Sequence, residues 1–264
     1  MFGALNANCD FMLLFAAMLV LGLIIGFVGA GGAGVAITLL TVGFDVKIHT
    51  ALGIALGTMM FTTLSGALSH LREGNVDLKI GCAMGIGGAA GAFLGANTSN
   101  YISSAGLKSA TAIMMLLSAL LLYIRLFHSQ LMSKALHIKP SVLVGPRFWI
   151  TALITGIVNG FLSGAFGIGA AAFIQLSMLL IFGMPLYKAV GTTMMIIIPI
   201  SAFGGLGYIL SGHIDFVLFL ETLLGLMVGA FIGAKFTRMV PIPVLRFFMV
   251  AMPVLGGVIL MFFD

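Results

Sequence analysis

Residues 11–44 read FMLLFAAMLVLGLIIGFVGAGGAGVAITLLTVGF, and the way this stretch meets a bilayer decides the fold. It holds no charged side chain, so water is not its natural solvent. One continuous helix over it would be about 50 Å long at about 1.5 Å per residue, too long for a single crossing of a hydrocarbon core about 30 Å thick. The cluster Gly29-Ala30-Gly31-Gly32-Ala33-Gly34 divides it into apolar runs at residues 11–28 and 35–44. The second run is too short to cross alone. The expected element is a helical hairpin, re-entrant or fully spanning, broken at the glycines.

The rest of the chain has the same character. Of its 264 residues 61% are hydrophobic and 7% charged, against about 25% charged in soluble domains, and the mean hydropathy is +1.24. Further apolar runs occupy residues 51–71, 80–96, 107–127, 148–164, 170–182, 189–210, 216–234 and 244–263. The one long polar connection, residues 128–147, contains His128, Lys134, His137, Lys139, Pro140, Pro146 and Arg147. This divides the chain into a first transmembrane repeat (1–127), a cytoplasmic linker (128–147) and a second transmembrane repeat (148–264). Residues 1–10 lack the basic flank of a cleavable signal peptide, so the first run is expected to be a retained span.

The net charge of +5 does not point to nucleic acid, because the basic residues lie scattered in loops with no interleaved aromatic stripe. They report topology. With a hairpin in each half and an outside N-terminus, Arg72, Lys79, Arg125, Lys134, Lys139, Arg147, Lys188, Lys235, Arg238 and Arg246 fall inside, and only Lys47 and Lys108 outside. Single kinked crossings would erase that bias, so both termini are expected outside. Cys9 and Cys82 have no metal-site or disulfide spacing, and neither a metal nor a cofactor is expected.

Internal repetition is the strongest signal. The Gly29–Gly34 cluster aligns with Gly164-Ala165-Phe166-Gly167-Ile168-Gly169 at an offset of 135, whereas Gly74-Asn75-Val76-Asp77 aligns with Gly212-His213-Ile214-Asp215, and Gly91-Ala92-Phe93-Leu94-Gly95-Ala96 with Gly229-Ala230-Phe231-Ile232-Gly233-Ala234, both at 138. Each half crosses an odd number of times once its hairpin returns, so the expected fold is all-α polytopic with two inverted repeats. Each would have a glycine-broken hairpin plus three spanning helices.

Broken helices in matching places of two repeats point to a transport site at the membrane midplane. Exposed N–H groups at Gly31, Gly32, Gly34, Gly167 and Gly169 would cradle an anion there, although glycines also permit a plain tight turn. Thr38, Thr63, Ser163, Gln175, Thr192, Thr193 and Ser201 are the candidate hydroxyl and amide contacts, set against the ordinary alternative that Ser and Thr bond their own helix. Glu221, a carboxylate inside an apolar run, is the proton-coupling candidate, with Ala83 at the equivalent place. The spacings Gly91/Gly95 and Gly229/Gly233 read as close-packing devices.

The order Gly164–Gly169, Gly183-Met184-Pro185-Leu186-Tyr187-Lys188-Ala189-Val190-Gly191-Thr192-Thr193, Gly212–Asp215 and Gly229–Ala234, repeated in outline in the first half, resembles the sulfite exporter TauE/SafE family of anion permeases. The resemblance implies a cell-membrane transporter exporting sulfite, a sulfonate or a related organosulfur anion. The expected partners are that small anionic substrate and the lipid bilayer; a homodimer is permitted. Two other functional classes stay open. One is a rhomboid-like intramembrane hydrolase, suggested by Gly160-Phe161-Leu162-Ser163-Gly164 but lacking a histidine in a late span. The other is a passive anion channel.

Overall fold

The computed structural model describes residues 7–28, 32–72, 74–127, 145–167, 171–236 and 242–262. Among these the chain forms ten α-helices and no strand: α1 (Ala7–Val28), α2 (Gly32–Thr38), α3 (Ile48–Arg72), α4 (Leu78–Ser99), α5 (Ser104–Phe127), α6 (Pro146–Phe166), α7 (Ala171–Leu180), α8 (Leu186–Leu210), α9 (Phe216–Phe236) and α10 (Ile242–Phe262). A π-helical turn, Leu39–Gly43, extends α2. Six segments are long and apolar enough to cross a membrane: Ile48–Arg72, Leu78–Ser99, Ser104–Ile124, Pro146–Phe166, Lys188–Leu210 and Phe216–Gly233. Their outer faces carry exposed Ile86, Leu94, Ile154, Val158 and Phe231. Such a continuous apolar exterior is what lipid, not water, solvates.

Helix ends follow from local chemistry. Asp77 caps α4, accepting the Ile80 N–H at 3.0 Å, and Asp215 caps α9 through the N–H groups of Val217 and Leu218 at 3.0 and 3.3 Å. Before each cap the chain turns at Gly74 (φ 71°) or Gly212 (φ 72°), in the left-handed region open to glycine. Pro146 opens α6, and Gly167 (φ 64°) closes it by donating to Ser163 O at 2.7 Å.

These boundaries repeat at a single offset. Adding 138 to Val28, Ile48, Arg72, Leu78 and Ser104 gives Phe166, Leu186, Leu210, Phe216 and Ile242, each the corresponding helix end. The 135 offset read from the first glycine cluster is therefore corrected. The end of α1 matches the end of α6 at 138, so Gly26 is the counterpart of Gly164, and the apparent 135 register arose because glycine recurs every few residues on both sides of the break.

Packing obeys the same offset. The two most extensive helix pairs are α4 with α6 and α1 with α9, each joining one half to the other. A Cβ on Gly91 would strike the Ile157 carbonyl and one on Gly95 the Phe161 carbonyl, while Gly229 and Gly233 stand in the same relation to Leu19 and Leu23. Only glycine lets these backbones approach so closely. Helices α3 and α8 meet across the centre, with Gly53 against Tyr208 and Gly191 against His70. Since 53 and 191, and 70 and 208, are equivalent positions, each contact is the image of the other.

Residues 128–144 of the linker 128–147 lie outside the described residues, as do Gly31 and Gly169.

Candidate functional site

The polar side chains in the helices divide into two groups by what their atoms touch. In the first half the threonines Thr38, Thr58, Thr62 and Thr63 are all used by the protein. Thr38 on α2 donates toward Gly34 O and Gly256 O, both at 3.0 Å, tying α2 to α10. Thr63 on α3 donates to Met59 O at 2.6 Å. Thr58 and Thr62 likewise bond carbonyls of the preceding turn. This is the low-energy habit of Ser and Thr in a helix.

In the second half Ser177 and Ser211 keep that habit, and four of the candidates depart from it. Ser163 on α6, Gln175 on α7, and Thr193 and Ser201 on α8 are all at 0% exposure. Ser163 Oγ, Gln175 Oε1 and Nε2, Thr193 Oγ1 and Ser201 Oγ have no hydrogen-bond partner among the described residues. A buried hydroxyl or amide without a partner costs roughly 1–3 kcal/mol, and an amide unpaired at both ends more. Helices α6, α7 and α8 pack on one another, so the structure brings these four positions onto three mutually contacting elements. Ile174, next to Gln175, joins Ile196, Ile197 and Ile200 of α8 in one apolar cluster, with Met59 of α3 and Phe173 against it.

The remaining candidates serve neighbouring structure. Thr192 Oγ1 accepts the Asp77 N–H at 3.0 Å, joining α8 to the turn before α4. Gly32 begins α2, and Gly34 lies against Met115 of α5. Gly167 abuts Leu52 and Ile37, so the end of α6 reaches α2 and α3. Its N–H is spent on Ser163 O, which leaves it no donor for a ligand. Glu221 is partly exposed, five positions into α9, beside Thr222, which is fully buried.

Three polar residues escaped the sequence reading. Thr222 Oγ1 is a further buried hydroxyl without a partner among the described residues. Its adjacency to Glu221 was the available signal. Tyr208 donates to Gly164 O at 3.0 Å, fixing α8 to α6 beside Ser163. Ser177 accepts from Asn159 Nδ2 at 3.1 Å and donates to Phe173 O at 2.9 Å.

A cavity of about 360 Å³ lies between α3, α8 and the start of α9, lined by Gly57, Met60, Phe61, Ser201, Leu206 and Phe219 among others. On α4, Gly81, Gly85 and Gly88 let Met195, Pro199 and Ile200 of α8 press close, whereas the equivalent positions of α9 are Phe219, Leu223 and Leu226. The α3–α9 seam is accordingly less extensive than the α4–α8 seam.

At the membrane boundary on one side, Lys79 lies over the Phe148 ring at 4.7 Å and near Trp149 at 6.0 Å. At the opposite ends of these helices His49 and His213 stack at 5.1 Å, and His49 Nε2 lies 3.2 Å from Ser99 O. Burial holds the His213 imidazole below its usual pKa, helped by His49 and Lys47 beside it.

A polytopic bundle of apolar helices with buried, uncharged polar groups inside is the class of protein that the structure defines: a multi-pass membrane protein. The chain belongs to the sulfite exporter TauE/SafE family, which matches residues 14–260. It is 45% identical over 251 residues to the probable membrane transporter protein YdhB of Bacillus subtilis, covering 95% of this chain and 100% of that one. It is 30% identical to YunE of the same organism, also a probable membrane transporter protein, over 85% of this chain and 89% of the relative. The probable membrane transporter protein MJ0441 of Methanocaldococcus jannaschii is 27% identical over 75% and 73% of the two chains. No solved structure matches it.

Proposed function

We propose that this protein is a secondary transporter that exports a small sulfur-containing oxyanion, such as sulfite or a sulfonate, by alternating access at a midplane site. The observation that carries the reading is the buried set of Ser163, Gln175, Thr193 and Ser201, whose polar atoms have no partner among the described residues. Fold stability alone gives no reason to bury four such groups, and a polar ligand gives one. Neutral donors hold an oxyanion loosely enough to release it. Glycines at the two helix breaks, Gly31, Gly32 and Gly34 in one half and Gly169 in the other, would add backbone N–H groups, with Thr38, Thr63 and Thr192 shaping the walls.

Two inverted repeats with both termini outside are the architecture we favour. The hairpin reading rests on the Asn159–Ser177 hydrogen bond, because 18 residues of continuous helix would hold those side chains about 27 Å apart. The repeat reading rests on the reciprocal contacts of Gly53 with Tyr208 and Gly191 with His70, and the orientation on the loop charges. Glu221 is the candidate for proton coupling. The hydrolase alternative draws no support from Ser163, whose Oγ lacks any imidazole partner among the described residues.

The test is flux in proteoliposomes of sulfite, thiosulfate, sulfonates and sulfate, with and without a pH gradient. Saturable, counterflow-sensitive movement of at least one is expected, and a passive channel would show neither property. Movement of none overturns the proposal. In the same assay Glu221→Gln is expected to flatten the response to the pH gradient.

A further inference from the structure

Gln175 states more about the ligand than its polarity. Both of its amide atoms are buried without a partner among the described residues, so exchanging Oε1 and Nε2 changes nothing in the argument. The group presents two donor hydrogens and one acceptor oxygen. A fully ionised oxyanion offers acceptors only. It would satisfy the amide N–H but leave Gln175 Oε1 facing lone pairs. A ligand carrying a hydrogen of its own satisfies both ends.

Charge points the same way. Helix α7 contains no lysine or arginine, and α6 and α8 contain only Arg147 and Lys188, each within three residues of the helix start. No cation therefore stands among the interior residues of these helices to offset a buried anion. The cost of moving an ion from water to a medium of low dielectric grows as the square of its charge, so a dianion costs about four times as much as a monoanion.

We infer that the bound species is a singly charged oxyanion that keeps at least one donor hydrogen, not the fully deprotonated dianion. This rests on the transporter reading above and sharpens its substrate.

The experiment uses the full chain in proteoliposomes with equal pH on both sides and three probes. Sulfite loses its remaining proton near neutral pH, methanesulfonate is singly charged throughout and has no donor hydrogen, and sulfate is doubly charged throughout. The expected KM for total sulfite rises with pH as the protonated form disappears, about tenfold per unit on the alkaline side. Methanesulfonate is expected to move with a weaker, pH-independent KM, and sulfate not to move.

Gln175→Met removes both a donor and an acceptor, so it should raise the KM for sulfite about tenfold and the KM for methanesulfonate, which uses the donor alone, by less. Retained methanesulfonate flux certifies that the variant is folded; if it carries neither anion, the wild-type pH series decides. A sulfite KM independent of pH, or sulfate moved as well as sulfite, overturns the inference but leaves a transporter. If wild-type protein moves none of the three, the transporter reading falls with it.

Discussion

Thr63 and Ser201 occupy equivalent positions 138 residues apart, on helices that pack against each other at the centre. Thr63 spends its hydroxyl on Met59 O, while Ser201 keeps an unpaired oxygen at 0% exposure. The same contrast recurs at Gln175, whose counterpart is Ile37, and at Ser163, whose counterpart is Ile25. Both halves thus build one frame from the same glycines and caps, and among the described residues the buried hydroxyls and amide without a partner all lie in the second half. Equivalence of backbone does not entail equivalence of chemistry: a frame fixed by reciprocal helix contacts accepts apolar side chains at positions whose counterparts bear buried polar groups.

That comparison can be broken at its strongest point first. Gly91→Ile and Gly229→Ile each drive a side chain into a facing carbonyl of the other half. Each is expected to cost more than about 3 kcal/mol and to remove folded protein, read as loss of the monodisperse peak on size exclusion. A mild effect at one and a severe effect at the other would show that the two seams are not alike.

Next comes the division of chemistry. Ser163→Ala and Thr193→Val are expected to cut transport about tenfold or more, while thermal stability holds or rises by about 1 kcal/mol, because each removes a buried unpaired hydroxyl. Thr63→Val is expected to leave flux within about twofold. If all three substitutions lower flux alike, the halves share the site after all.

A smaller effect belongs to the hydrogen bond that joins α6 to α7. Asn159→Leu introduces the residue found at position 21 and strips partners from Ser177 and from Thr155 O. It should destabilise the protein by roughly 1–2 kcal/mol, measured by thermal unfolding in detergent.

The smallest effect is the pH response of His213. Its folded pKa lies below the unfolded value, so the unfolded chain takes up the proton first, and stability present above the ordinary histidine pKa is lost as pH falls from there toward the folded value. Unfolding temperatures recorded from pH 8 to pH 5 should decline on the acid side, and His213→Gln should flatten that decline.

Hydropathy and spacing made the apolar helices legible, because bilayer thickness converts directly into run length. Glycine spacing exposed the duplication. Its register at the break was misread, since a segment with Gly22, Gly26, Gly29 and Gly31 aligns almost as well three residues out of step, and only the contacts of Gly22 with Leu226 and Gly160 with Gly88 choose between the two. The candidate hydroxyls are ambiguous in the sequence. Whether a threonine bonds its own helix or faces outward depends on one side-chain torsion, which packing sets and composition does not. Ser163 and Thr63 look alike in a sequence.

The interlocked glycines also have a consequence in time. Gly88 meets Gly160 after 72 further residues have been made, whereas Leu19 must wait 210 residues for Gly229. At a synthesis rate of about 5–20 residues per second, the first pair can close within about 4–14 s of the insertion of α4, and the second only after about 10–40 s. During that interval α1 rests in lipid without the helix it will finally embrace. The α4–α6 pair can therefore close before α1 meets α9, and α10, made after α9, reaches α5 and α2 later still.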